Sequence, residues 1–195
     1  MPRLWSETIE THRHAVRDAT LDAAAEVVAL RGLASATMSE IAERAGISRA
    51  TLYKYFPDVE AIVGAWHERQ VSRHLVALER ARDGAPRDRR LESVLEAYAF
   101  HQRERHESAL EPVLHPESGR TNGHREGHLA GAHEQLTRLV ADLIDERANH
   151  GDVRNDVSPV ELANYCLHAL SAADSLPSAA AIRRLCGVVL SGMSA

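Results

Sequence analysis

Apolar residues recur at the three-and-four spacing of α-helices along nearly the whole chain, and no stretch alternates convincingly with the period of two that a strand requires. Leu21, Ala24, Ala25 and Val28 make one such stripe, in a helix that the pattern ends at Gly32. Met38, Ile41, Ala42 and Ala45 make a second, shorter one. Thr37-Met38-Ser39-Glu40 marks its start as a capping box, because Thr37 and Glu40 can satisfy the free backbone N–H groups of the first turn. Gly46 breaks the pattern, and Ser48 is placed to cap a third helix whose Leu52 and Phe56 face inward. Pro57-Asp58 closes that helix and opens a fourth, expected to run to roughly Arg82.

After the polar break ARDGAPRD, Leu91, Val94, Leu95 and Tyr98 predict a fifth helix. The segment HPESGRTNG, residues 115–123, reads as the clearest loop. A helix through Leu136, Leu139, Val140, Leu143 and Ile144 follows, ending near Gly151. Ser158-Pro159-Val160-Glu161 then combines an N-cap, a proline at the first helical position and a following glutamate, a strong start signal. The expected fold is all-α, with a three-helix unit over residues 1–56 and a larger helical domain over 57–195.

Composition changes this picture little. Hydrophobic and charged contents of 44% and 26% are those of a globular chain. No apolar run approaches the ~20 residues that cross a bilayer, and the N-terminus carries no apolar stretch with a cleavage site, so no secretory signal is read. Cys166 and Cys186 lie in apolar helical patterns without metal-ligand spacing, which suits reduced thiols in a cytoplasmic protein. A net charge of -5 argues against coating nucleic acid by bulk attraction and leaves open a local basic face.

Residues 45–56, AGISRATLYKYF, supply that face. The chain has four tyrosines and two phenylalanines, and three of those six rings fall within residues 53–56, beside its only lysine, Lys54. A helix, a capped short helix, a glycine turn and a second short helix have the spacing of a helix-turn-helix, whose second helix enters the major groove. Leu52 and Phe56 would then anchor that helix, leaving Arg49, Ala50, Thr51, Tyr53, Lys54 and Tyr55 at the groove. Arginine can read guanine N7 and O6, and threonine a base edge or thymine methyl. Tyrosine hydroxyls and the helix starts behind Thr37 and Ser48 suit phosphate oxygens. The bland alternative is a pair of packed amphipathic helices with Tyr53 or Tyr55 partly in the core.

The stretch from Arg17 to Trp66, especially TMSEIAERAGISRATLYKYF, resembles the DNA-binding domain of the TetR family of bacterial repressors. Gly32, Thr37, Ile41-Ala42, Ala45-Gly46-Ile47-Ser48, Thr51-Leu52-Tyr53 and Tyr55-Phe56 carry the likeness, over about fifty residues. The resemblance implies a homodimer on a palindromic double-stranded operator, and a C-terminal helical domain that binds a small-molecule inducer. Two positions depart from the family pattern: Ala50 stands where glycine is usual, and Val59 where a lysine able to contact phosphate is usual.

In the larger domain, Ala163, Cys166, Leu167 and Leu170 form one apolar stripe, and Leu162, Tyr165, Ala169 and Ala172 another. Ile182, Leu185, Cys186 and Val189, extended by Leu190 and Met193, form a third. So much apolar surface suits helices that bury one side inside and the other against a partner, or else a thick monomeric core. The family resemblance assigns these last two helices to a four-helix dimer interface. It also places an inducer pocket among the middle helices, for which Trp66, Tyr98, His101, Leu110, Leu114, His128 and Tyr165 are the candidate lining. Of the twelve histidines, His124 and His128 at i, i+4, then His133, with His101 and His106 earlier, invite a metal reading. No cysteine or carboxylate completes a recognisable set, and no nucleophile elbow or zinc-hydrolase motif occurs, so neither metal, cofactor nor enzymatic activity is expected. The competing readings are a histidine-dependent enzyme carrying a helix-turn-helix adaptor, and a helix-turn-helix protein with no inducer.

Overall fold

The structure, a computed structural model, describes residues 3–107 and 123–195, with side chains over 10–104 and 131–195. Among the described residues there are eight α-helices and no strand: α1 (Arg3–Arg31), α2 (Met38–Arg44), α3 (Arg49–Tyr53), α4 (Val59–Gly84), α5 (Arg90–Glu107), α6 (Gly123–Ala148), α7 (Pro159–Ser171) and α8 (Ala179–Ser191). The all-α expectation holds. Residues 115–122 of the expected loop lie outside the described residues.

The chain divides into two compact units within α4, between Gln70 and Val71. The sequence expectation put the division at residue 56; the N-terminal packing unit also takes in the first turns of α4.

That N-terminal unit is built on the sequence stripes. Leu21, Ala24 and Val28 of α1, Met38, Ile41 and Ala42 of α2, Leu52 of α3, then Phe56 and Ile62, form one buried cluster. Arg69 of α4 reaches back to α1, donating from Nη1 to Asp18 Oδ1 at 3.0 Å and from Nη2 to the Asp22 carboxylate. Its side chain is only 12% exposed, so this clamp is better shielded from solvent than an ordinary surface ion pair.

In the second unit α5 packs against α6, α7 and α8. Leu91, Val94, Leu95 and Tyr98 meet Val140 and Ile144 of α6, Ala163, Cys166 and Leu170 of α7, and Ile182, Cys186 and Val189 of α8 in a single core. The chain end is tied back by the Arg154 N–H, which donates to the Met193 carbonyl at 2.9 Å. Ser158 and Glu161 form the expected capping box at α7, with Pro159 in its first turn.

Candidate nucleic-acid interface

Three local devices fix where α3 points. The first is the start of α2. Thr37 Oγ1 accepts from the Glu40 N–H at 3.3 Å, while Glu40 Oε2 accepts from the Thr37 N–H at 3.2 Å and from its hydroxyl at 2.9 Å. The Thr37 hydrogen bond, with the Arg31 charge adding to it, holds the Glu40 carboxyl below the usual glutamate range. Arg31, the last residue of α1, also pairs directly with Glu40, so the end of one helix is tied to the start of the next.

The second device is the turn. The Ile47 N–H donates to the Ala42 carbonyl at 3.0 Å and the Gly46 N–H to Glu43 at 3.1 Å, the paired bonds of a Schellman stop. That stop needs a left-handed residue, and Gly46 supplies it at φ 68°. The third is the start of α3, where Ser48 Oγ accepts from the Thr51 N–H at 3.1 Å and lies 2.9 Å from the Thr51 hydroxyl. A five-residue helix is far too short to persist alone. Its one buried residue, Leu52, pins it to the core.

The remaining side chains divide as follows. Arg49, Ala50, Tyr53 and Lys54 are exposed, Tyr53 to 56%. Among the described residues neither Arg49 nor Lys54 has an ion-pair partner, while Arg44 is taken up by Glu26. Thr51 is half-buried with its hydroxyl turned to Ser48. Tyr55 is half-buried and packs against the N-terminal core, as the bland alternative for it held. The side chains of Thr37 and Ser48 serve the helix starts. Val59 is buried in the same core, so its departure from the family pattern is filled by packing.

Sequence reasoning missed Ser39. Arg49 Nη1 donates to Ser39 Oγ at 3.0 Å, across the turn from α3 to α2. No periodicity signals such a contact, because it depends on the angle the turn sets between two helices.

Of the described inducer candidates, Trp66 belongs to the first unit and Tyr98, His101 and Tyr165 to the second. Trp66 packs against the N-terminal core. Tyr98 and His101 share a neighbour in the second unit, His74: the His101 ring stacks on His74 with centroids 3.5 Å apart, His74 lies 6.1 Å from the Tyr98 ring, and Gln102 Nε2 donates to Tyr98 Oη at 2.6 Å. Tyr165 stands on the outer side of α7, 46% exposed. Leu110 and Leu114 lie outside the described residues, as do the side chains of His106, His124 and His128.

His133 and His168 meet edge-on at 6.5 Å. Among the described residues no group of three or more His, Cys, Asp or Glu side chains is placed to hold a metal ion. Burial raises the Cys166 thiol to about 12 and the Cys186 thiol to about 11, so both are protonated packing groups. Among the described residues no helix is long and apolar enough to cross a membrane.

Residues 21–65, covering the helix-turn-helix, match the sequence profile of bacterial regulatory proteins, tetR family. An uncharacterized HTH-type transcriptional regulator of Mycobacterium tuberculosis is 48% identical over 56 residues. That match covers 29% of this chain and 28% of the relative, so the chain matches its curated relatives over little more than a quarter of their length. The fold as a whole is similar to a TetR/AcrR-family regulator of Thermobifida fusca, with TM-score 0.76 and 18% identity over 90% of this chain and 97% of that one. It is also similar to a transcriptional regulator FadR of Bacillus subtilis, solved in complex with stearoyl-CoA, with TM-score 0.70 and 17% identity over 90% and 98% of the two chains.

Proposed function

Because the chain belongs to the tetR family of bacterial regulatory proteins, we propose that it is a ligand-responsive, DNA-binding transcriptional repressor. It binds a palindromic operator as a homodimer and is released by a small-molecule inducer. The observation that carries this reading is the capped helix-turn-helix, in which Leu52 is buried while Arg49, Ala50, Tyr53 and Lys54 face outward. α3 enters the major groove, where Arg49 reads a guanine edge and Tyr53 and Lys54 meet phosphates. The backbone at the starts of α2 and α3, behind Thr37 and Ser48, adds phosphate contacts.

The dimer forms through α7 and α8. Val160, Tyr165 and Val188 are large apolar side chains left exposed on these two helices. Isolated exposed apolar residues are ordinary, but three on adjoining helices suit a face completed by a second copy. Stacked imidazoles beside a tyrosine hydroxyl and an amide offer polar handles to an inducer held in the second unit. The Bacillus subtilis regulator of the same fold, solved with stearoyl-CoA, supports a ligand-binding role for this architecture. α4 carries residues of both units, so an inducer acts on DNA by favouring one dimer geometry through that helix. Operation on DNA in a bacterial cell places the protein in the cytoplasm.

The test is selection of bound duplexes from a random pool by the full chain. The expected product is a short pseudo-palindrome with half-site centres about one to one and a half helical turns apart. Enrichment of no sequence over another overturns the proposal.

A further inference from the structure

The contact between Arg49 and Ser39 joins the exposed start of α3 to the second residue of α2. Both side chains are exposed, and Arg49 has no ion-pair partner among the described residues. An unrestrained arginine samples many rotamers, and fixing one on binding costs conformational entropy. Here that restriction is in place before any DNA arrives. One N–H of Nη1 is directed at Ser39 Oγ, and the planar guanidinium leaves its remaining N–H groups as a fork of set orientation. Oγ is the acceptor in this bond, so the Ser39 hydroxyl proton can still be donated to a DNA acceptor.

We propose that Ser39 is a specificity-determining positioning residue: it holds the Arg49 guanidinium in the orientation that reads one base of each half-site. The inference rests on the DNA-binding reading above. Its chemistry is that of preorganisation, in which α2 supplies the hydroxyl, α3 supplies the fork, and the Gly46 turn sets the distance between them. The effect falls on discrimination at one base position, because only Arg49 is restrained. Ser39 makes no contribution to the buried core, so its removal leaves the unit folded.

The experiment is duplex selection, followed by affinity measurement on the selected site and its single-base variants. It uses the full wild-type chain and Ser39→Ala, Ser39→Thr, Arg49→Ala and the Ser39→Ala/Arg49→Ala double variant. Ser39→Ala is expected to lower discrimination by about 3- to 10-fold, the scale of one net hydrogen bond, at the same base position that Arg49→Ala erases. It adds nothing in the Arg49→Ala background, and Ser39→Thr, which keeps the hydroxyl, restores the wild-type preference. Thermal melting of Ser39→Ala matches wild type, which separates positioning from general stabilisation. A Ser39→Ala effect that is equal on all sequences, falls at another base, or adds to that of Arg49→Ala overturns the inference while leaving DNA binding intact. A wild-type chain that selects no sequence refutes the DNA-binding reading itself.

Discussion

Leu52→Ala tests the claim that one buried side chain holds the recognition helix in place. Leu52 is fully buried and is the only buried residue among the five of α3. Removing a buried leucine side chain loses its transfer free energy and leaves a cavity, together about 3–4 kcal/mol. At roughly 0.05–0.15 kcal/mol per residue, a unit running to Gln70 has a total stability of only about 4–10 kcal/mol. The substitution therefore removes a third or more of it. Urea unfolding followed by tryptophan fluorescence in a Trp5→Phe background reads this unit, because Trp66 packs on its core. With a slope of roughly 1–3 kcal/mol/M the midpoint falls by about 1–4 M. Tyr53→Ala on the exposed side of the same helix is the control, expected within about 0.5 kcal/mol of wild type. A Leu52→Ala loss no larger than that of Tyr53→Ala would refute the anchoring argument.

The capping box gives a pH dependence whose sign is fixed. Glu40 titrates lower in the folded chain than in the unfolded one, so its contribution is complete above the ordinary glutamate range and is lost as pH falls through the lowered folded value. Thr37→Ala should flatten that acid limb in a stability-versus-pH series, and an unchanged limb counts against the assignment. Gly46→Ala meets no neighbouring atom but forces alanine to φ 68°, costing about 1–2 kcal/mol. Gly64→Ala, equally unobstructed but inside α4, should stabilise by about 0.4–1 kcal/mol, and denaturation shifts of the same sign in both would sink this account. Cys166 and Cys186 should resist a thiol reagent at pH 8 until denaturant is added, since burial raises both well above that pH. Prompt labelling of the native chain would show that the thiols are accessible.

The sequence by itself determined the elements whose causes are local. Helix stripes, the capping boxes at Thr37 and Ser158, the Ser48 cap and the Gly46 stop all depend on residues within a few positions of one another, where spacing alone fixes the hydrogen bonds. Hence the all-α class and the helix-turn-helix were legible, and so was the inward face of α3. Leu52 and Phe56 are buried as their spacing indicated.

What only tertiary structure decided are the contacts between residues far apart in the chain. The bond from Arg49 to Ser39 depends on an interhelix angle, and the clamp of Arg69 on Asp18 and Asp22 spans 51 and 47 residues. Tyr55 and Tyr53 lie two positions apart with similar side chains, yet one rests on the core and the other is exposed, because α3 has already ended at Tyr53. Trp66 and Tyr98, alike as pocket candidates, pack in different units, because the division falls within α4 after Trp66 and before Tyr98 of α5. A helical repeat tells which residues share a face; which neighbour that face meets is set by packing across the whole fold, and no local spacing encodes it.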